Sequence, residues 1–450
     1  MSLWDAQELA IASGSRSAGF AVDGISIDTR TLQPGDLFIA LTDARDGHDF
    51  VADAFAKGAA GAMVSKPVSG FENLLVVDDT LAALTRLGEF SRARTPAKIV
   101  AVTGSVGKTT NKEMLRRALG GFGAVHAAEA SFNNHIGVPL TLARMPRDTD
   151  FAVFEIGMNH PGEIAPLSHL VRPQVAIVTG VERTHIGHMG SLEAIAAEKA
   201  NVFRGLAPGG TAILPRDSAF LQKLGAAVPA GAARLTFGAR DLAEVRLIEA
   251  ESDTDGCDVL GRVEGKIIRL HLNAPGAHMA MNAMAVLAAC HALGLDVEKA
   301  AAALDGFEPL PGRGARRQIA VEGGAAMLLD ESYNASGASM RAAFAVLALQ
   351  PGRRVALLGD MLELGDEAED EHLELRAALI EAADIVFTAG EMMGLLFDTL
   401  PPAKQGAHAG DAAALAPLVR AALRPGDAVL VKGSYGSRMR DVIAVLEGGA

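Results

Sequence analysis

Short apolar runs broken by Asp, Gly and Pro open the chain, at residues 24–27, 37–41, 61–64 and 74–77. This rhythm predicts a small α/β unit over residues 1–81. A helical stretch then leads through Ala93-Arg94-Thr95-Pro96 to the uninterrupted apolar run Ile99-Val100-Ala101-Val102, the signature of a strand buried on both faces. That run enters a glycine-rich turn and a helix from about residue 109. Further strands are predicted at 151–156 and 175–179 with helices between, so region 82–312 reads as a parallel sheet. Between 245 and 272 the apolar positions alternate in short runs, which predicts an antiparallel insertion, and a helix over 276–293 closes the region. Pro309 and Pro311 mark a hinge. Beyond it, strands at 326–330, 354–358, 385–388 and 428–431 alternate with helices, as in a doubly wound, Rossmann-like unit over residues 313–450. The predicted fold class is α/β in three domains.

Length agrees, since 450 residues at roughly 100–200 per domain allow two to four. Hydrophobic residues at 49% and charged ones at 21% describe a folded chain, not a disordered one. The net charge of -13 argues against a nucleic-acid partner, which needs clustered Lys and Arg on the phosphate backbone. It leaves room for an anionic small molecule in one local basic pocket. Cys257 and Cys290 are too few for a disulfide framework or a zinc cluster, which fits a reducing compartment. The N-terminal MSLWDAQELA lacks the regions of a signal peptide, and no run of about 18 apolar residues predicts a membrane span. A cytoplasmic protein is expected.

The strongest chemical signal is Thr103-Gly104-Ser105-Val106-Gly107-Lys108-Thr109-Thr110, set between a strand and a helix. Glycines let backbone N–H groups turn inward on phosphate oxygens, and a helix N-terminus adds partial positive charge. Lys108 would reach the β- and γ-phosphates of a nucleotide and Thr109 would hold Mg²⁺. Val102 stands where the strict pattern has its first glycine, so a structural turn is the competing reading. Glu155 ends a predicted strand, where it is either a Mg²⁺ ligand or a solvated strand-end acid. His185 follows another strand end. Magnesium prefers oxygen, so a surface-loop histidine is the simpler reading, and His185 with His188 lacks the further ligands a zinc site needs. Lys199 sits on the helical segment EAIAAEKANV, and taken alone is an ordinary surface lysine.

Taken together and in this order, residues 104–110, Glu155, His185 and Lys199 resemble the central domain of the Mur ligases. The resemblance implies that the acid and the histidine hold two magnesium ions, and that Lys199 is carbamylated and supports the second. The segment Ser131-Phe132-Asn133-Asn134 is similar to an Asn-rich family segment in which Asn134 positions phosphate or substrate. Gly276-Ala277-His278-Met279-Ala280-Met281-Asn282 resembles the helix start that contacts adenine, with Met279 in place of the first Asn, so that contact falls to Asn282. Pro311-Gly312-Arg313 resembles a hinge arginine that reaches the nucleotide's phosphates. Asp330-Glu331-Ser332-Tyr333-Asn334-Ala335 resembles a third-domain segment with Glu331 for the usual Asp, and Ser336-Gly337 replace Asn-Pro. Residues 358–365 and 431–439, which include Lys432, Ser434 and Arg438, complete that pattern.

The resemblance extends to the first region, where Ser26-Ile27-Asp28-Thr29-Arg30, residues 34–41 and residues 46–50 look like a UDP-sugar-binding domain. The implied organisation is UDP-sugar binding over 1–81, a P-loop ATPase over 82–312 and a Rossmann-like ligase domain over 313–450. The D-N-P-R motif of the diamino-acid-adding members is absent, while L-G-D-M-L-E-L-G and D-E-S-Y-N-A point to joining of D-alanyl-D-alanine to UDP-N-acetylmuramoyl-tripeptide. The resemblance implies ATP and Mg²⁺ as cofactors. It implies Ser26, Thr29, Arg30, Asn134, Tyr333, Asn334, Lys432, Ser434 and Arg438 as substrate contacts, and a monomer. A diamino-acid ligase of the same family, or a non-catalytic nucleotide-binding module, are the alternatives. The second leaves the joint presence of Lys108, Glu155, His185 and Lys199 unexplained.

Overall fold

In the computed structural model, which describes residues 2–15, 19–43 and 45–448, the four apolar runs of the first region become a parallel sheet. Its strands, Gly24–Ser26, Asp36–Ile39, Gly61–Val64 and Leu74–Val76, lie side by side in chain order. The period-two geometry of a strand sends Leu37 and Ile39 to one face and Phe38 to the other. The first face packs on helices Ala6–Ser13 and Thr80–Arg94, and also on Leu140 and Ala143 of helix Gly137–Ala143. Asp79 starts the long helix by accepting from the Ala82 N–H at 2.9 Å.

Trp4 ties this region to the next. It is fully buried, its indole N–H donates to the Ala143 carbonyl at 3.0 Å, and the Arg94 guanidinium lies 3.7 Å from its ring centroid. Trp4→Phe keeps most of the apolar volume and strands that carbonyl. We expect a loss of about 1–3 kcal/mol, read as a lowered melting temperature by circular dichroism. An unchanged melt would contradict the assignment.

The central sheet has nine strands, in the order Lys266–Leu272, Cys257–Val263, Val245–Ser252, Ala233–Gly238, Thr211–Pro215, Val175–Val178, Lys98–Thr103, Phe151–Glu155 and Val125–Ala127. The predicted antiparallel stretch is present over 245–272, but it extends this sheet instead of forming a separate insertion. Val245–Ser252 pairs parallel to Ala233–Gly238, and the next two strands turn back. One face of this extension packs on helix Ala277–Ala292 and the other meets solvent, which explains the alternating pattern.

The third sheet runs Ala315–Val321, Gly324–Glu331, Ala428–Lys432, Arg354–Gly359, Ile385–Ala389 and Gln405–Ala409, with the first pair antiparallel and the rest parallel. The carboxyl ends of Phe151–Glu155 in the central sheet, and of Gly324–Glu331 and Ala428–Lys432 in the third, open on one cleft.

Candidate active site

The buried strand Lys98–Thr103 delivers the chain into the phosphate loop, and helix Lys108–Gly120 follows. Gly107 caps that helix with φ 81°, and a Cβ there would sit 2.7 Å from Asn282 Oδ1, so both conformation and space require glycine. No side chain caps the helix, which leaves its first N–H groups for an anion. The neighbouring segment braces the loop. Thr179 Oγ1 donates to the Val106 carbonyl at 2.6 Å, Ser105 N–H donates to Gly180 O at 3.0 Å, and Ser105 Oγ donates to Glu182 O at 3.0 Å. Thr103 is wholly buried at the strand end, where its carbonyl accepts from Thr179 N–H at 2.9 Å. Lys108 lies back over its own loop, donating to Gly104 O at 2.8 Å. Burial, together with the Arg313 charge, pushes its pKa down, and Glu155 opposes that shift.

Glu155 is 2% exposed, so it is not a solvated acid. Thr109 Oγ1 donates to it at 2.9 Å and Asn133 Nδ2 at 2.7 Å, while Ser131 Oγ lies 3.3 Å from Thr109 Oγ1. These groups form a compact set of oxygen donors beneath the loop. Lys199 departs furthest from its ordinary reading. It is 2% exposed on helix Leu192–Ala200, inside the protein instead of on its surface. Burial pushes its pKa well down, and the nearby Lys108 charge adds to the shift, with Glu198 opposing. A lysine held in this way favours the neutral amine.

His185 begins the helix Ile186–Met189 with φ 59°, and its Nδ1 is hydrogen-bonded to the Glu363 carboxylate of the third region. Across the cleft, the Arg313 guanidinium stacks 4.0 Å from the Tyr333 ring centroid. The buried Lys432 donates to Asn334 O at 2.9 Å and lies 3.5 Å from Glu331 Oε2. Lys108, Thr109, Glu155, Arg313, Glu331 and Lys432 all line one cavity of about 400 Å³. A second cavity of about 240 Å³ shares Thr184, His185, Tyr333 and Asn334 with the first.

Two family models match the chain, the Mur ligase middle domain over residues 102–290 and the Mur ligase glutamate ligase domain over 312–435. The UDP-N-acetylmuramoyl-tripeptide–D-alanyl-D-alanine ligase of Escherichia coli (strain K12) is 34% identical over 445 residues, which covers 96% of this chain and 95% of that one. The chain belongs to the Mur ligase family. A crystal structure of MurF from Acinetobacter baumannii superposes with a TM-score of 0.87 at 30% identity, covering 99% of this chain and 98% of that one. A MurF ligase from Thermotoga maritima, solved in complex with ADP, shares the fold at a TM-score of 0.79 and 24% identity, covering 95% and 97%.

Not every residue singled out in this Mur ligase sequence lines the main cavity. Asn282 does, and its Oδ1 accepts from Asn111 Nδ2 at 2.8 Å beside Gly107. Asn134 instead turns its Oδ1 onto the N–H groups of Ile136 and Gly137, at 3.2 and 2.9 Å, and so starts the next helix. Its neighbour Asn133 reaches the cavity. An Asn two or three residues before an Ile-Gly helix start is the signal of such a turn. Ser434 lines the second cavity and accepts from Leu362 N–H at 2.9 Å. Arg438 pairs with Asp441 at 2.6 Å beside a separate cavity of about 370 Å³.

Ser26, Thr29 and Arg30 lie in the first region, at the carboxyl end of its first strand. There Ser26 Oγ donates to Asp28 O at 3.0 Å, Thr29 O accepts from Lys57 at 3.0 Å, and the exposed Arg30 pairs with Asp28 at 2.6 Å. Among the described residues, no three His, Cys, Asp or Glu side chains cluster as a metal site, and no helix is long and apolar enough to cross a membrane.

Proposed function

We propose that this chain joins D-alanyl-D-alanine to UDP-N-acetylmuramoyl-tripeptide, with ATP converted to ADP and phosphate. One observation carries the reading. The phosphate loop and Glu155 of the central sheet share one cavity with Arg313, Glu331 and Lys432 of the third region, so nucleotide and acyl acceptor can meet there. Residues 1–81 serve the UDP-sugar, with Ser26, Thr29 and Arg30 as contacts; 82–312 serve ATP; and 313–450 close over both.

The donor set fits magnesium. Thr109 and Glu155 offer a hydroxyl and a carboxylate at one place, 2.9 Å apart. With so few protein ligands, water and phosphate oxygens must supply the rest, as Mg²⁺ prefers. Two Mg²⁺ ions, when bound, offset charge on the β/γ-phosphates and on the group in transfer. Thr109 and Glu155 would hold one, while His185 and a carbamate on Lys199 would support the other. A neutral Lys199 amine would add CO₂, forming an N–C bond and releasing a proton, and the nearby Lys108 charge would offset the burial of the resulting carbamate anion.

In the reaction, the terminal carboxylate oxygen of the tripeptide attacks the γ-phosphorus and ADP leaves. The dipeptide amine then attacks the acyl carbon and loses a proton, and phosphate departs with that oxygen. Lys108 and Arg313 hold the phosphate chain and Asn282 the adenine. Glu331, Tyr333, Asn334, Lys432, Ser434 and Arg438 serve the substrates on the third-domain side, where closure excludes water from the acyl phosphate. The chain acts as a monomer, and the buried free thiols of Cys257 and Cys290 suit the cytoplasm.

The acyl phosphate has a direct test. With ¹⁸O in the terminal carboxylate of the tripeptide, one labelled oxygen should appear in the released phosphate. Unlabelled phosphate would overturn the intermediate.

A further inference from the structure

The side chain of His185, in the central region, is held from the third region. Its Nδ1 meets the Glu363 carboxylate, 178 residues further along the chain. A carboxylate can only accept, so Nδ1 carries the proton and donates. In the neutral ring this leaves the lone pair on Nε2, the nitrogen a metal ion would use.

The contact is built into the backbone on both sides. His185 and Glu363 both occupy the left-handed region, at φ 59° and 65°, which side-chain-bearing residues rarely adopt. Gly187 N–H donates to Glu363 O at 3.0 Å. Gly187 approaches Gly365 so closely that a Cβ on Gly187 would lie 2.7 Å from Gly365 N, so the approach requires glycine there. Arg183, two residues before His185, donates to Glu371 at 2.8 Å.

The loop that carries Glu363 is itself fixed. Met361 N–H donates to Nε2 of the fully buried His372 at 2.9 Å, and His372 Nδ1 donates to Ala368 O at 2.6 Å. Leu362 N–H donates to Ser434 Oγ at 2.9 Å. Ile186 and Met189 share an apolar cluster with Met361 and Leu364 beneath the pair.

We infer that Glu363 is a positioning residue, supplied by the third region, which fixes the tautomer and ring orientation of His185 so that Nε2 faces the cleft. Assembly of that side of the magnesium site is thereby coupled to docking of the third region on the central one. The inference rests on the reading of His185 as a metal ligand.

The test uses the full chain with AMP-PNP, Mn²⁺ as the probe ion and electron paramagnetic resonance to count and titrate bound Mn²⁺. In Glu363→Ala, affinity for the weaker-held ion should fall about 10–100-fold. Glu363→Gln, whose amide oxygen can still accept from Nδ1, should recover most of it. In a His185→Ala background, Glu363→Ala should have no further effect. In the metal-free protein, the Nδ1–H resonance of His185, assigned by its loss in His185→Ala, should vanish in Glu363→Ala and persist in Glu363→Gln. Loss of Mn²⁺ affinity in His185→Ala with none in Glu363→Ala or Glu363→Gln would overturn the inference and leave the metal reading standing. Unchanged Mn²⁺ binding in His185→Ala would overturn both.

Discussion

Lys199→Ala should lower kcat by about 10²–10³-fold while the protein stays folded, and short carboxylic acids added to the assay should restore part of the loss. The expectation follows from burial. Lys199 is 2% exposed, and burial and the Lys108 charge both disfavour its protonated form. Truncation loses the packing of the buried four-carbon stem, and the relief of burying an amine beside the Lys108 charge offsets part of that loss. Fold and activity should therefore separate. Circular dichroism and the emission of Trp4, the chain's single tryptophan, should report an intact protein, while phosphate release collapses. The truncated side chain leaves room for an added carboxylate to stand where the carbamate would. Full activity in Lys199→Ala would remove the carbamate from the mechanism. Lost activity together with a lost fold would make Lys199 a packing residue.

Lys108→Ala should cost about 10²–10³-fold in kcat/KM, with ATP binding weakened as well. Its ammonium donates to Gly104 O at 2.8 Å, which keeps it above the loop where a γ-phosphate would lie. Thr109, next along the helix, is bonded to Glu155 and should tolerate the change, so the defect belongs to the missing charge and not to a disordered loop. The discriminating comparison is Lys108→Arg, which keeps charge on a longer, planar group. Partial activity there and none in Lys108→Ala is the expected pattern. Equal activity in wild type and Lys108→Ala would show that the loop's backbone N–H groups suffice.

The parts of this site that lie along the chain were legible in the sequence. The phosphate loop, Glu155 and the strands beneath them rest on local signals, namely an uninterrupted apolar run, a glycine turn and a helix start. The antiparallel stretch over 245–272 was legible as alternation, but not its union with the central sheet, because only Phe237 and Gly238 make that pairing. Val125–Ala127, Thr211–Pro215, Ala233–Gly238, Ala315–Val321 and Gln405–Ala409 were not placed, since polar residues, Gly or Pro interrupt most of these segments and only pairing with neighbouring strands makes them part of a sheet.

Lys199 shows the limit of local reading. Nothing local in EAIAAEKANV marks its lysine as inward-facing, and only packing against the rest of the domain buries it. Asn134 was singled out, whereas Asn133 reaches the cavity, because Asn134 starts a helix, a matter of turn geometry. Glu363 meets His185 across 178 positions, a contact no periodicity can report.

One cavity couples consumption of ATP to peptide-bond formation. The most direct measurement is phosphate release from ATP and Mg²⁺ with UDP-N-acetylmuramoyl-tripeptide and D-alanyl-D-alanine together, then with each omitted, alongside the mass of the product. Release should occur only when both are present, with a product heavier by one dipeptide unit. No release with both present, but release when a free diamino acid and the UDP-linked dipeptide replace them, would contradict this assignment and move the chain to an earlier step of the same family's chemistry.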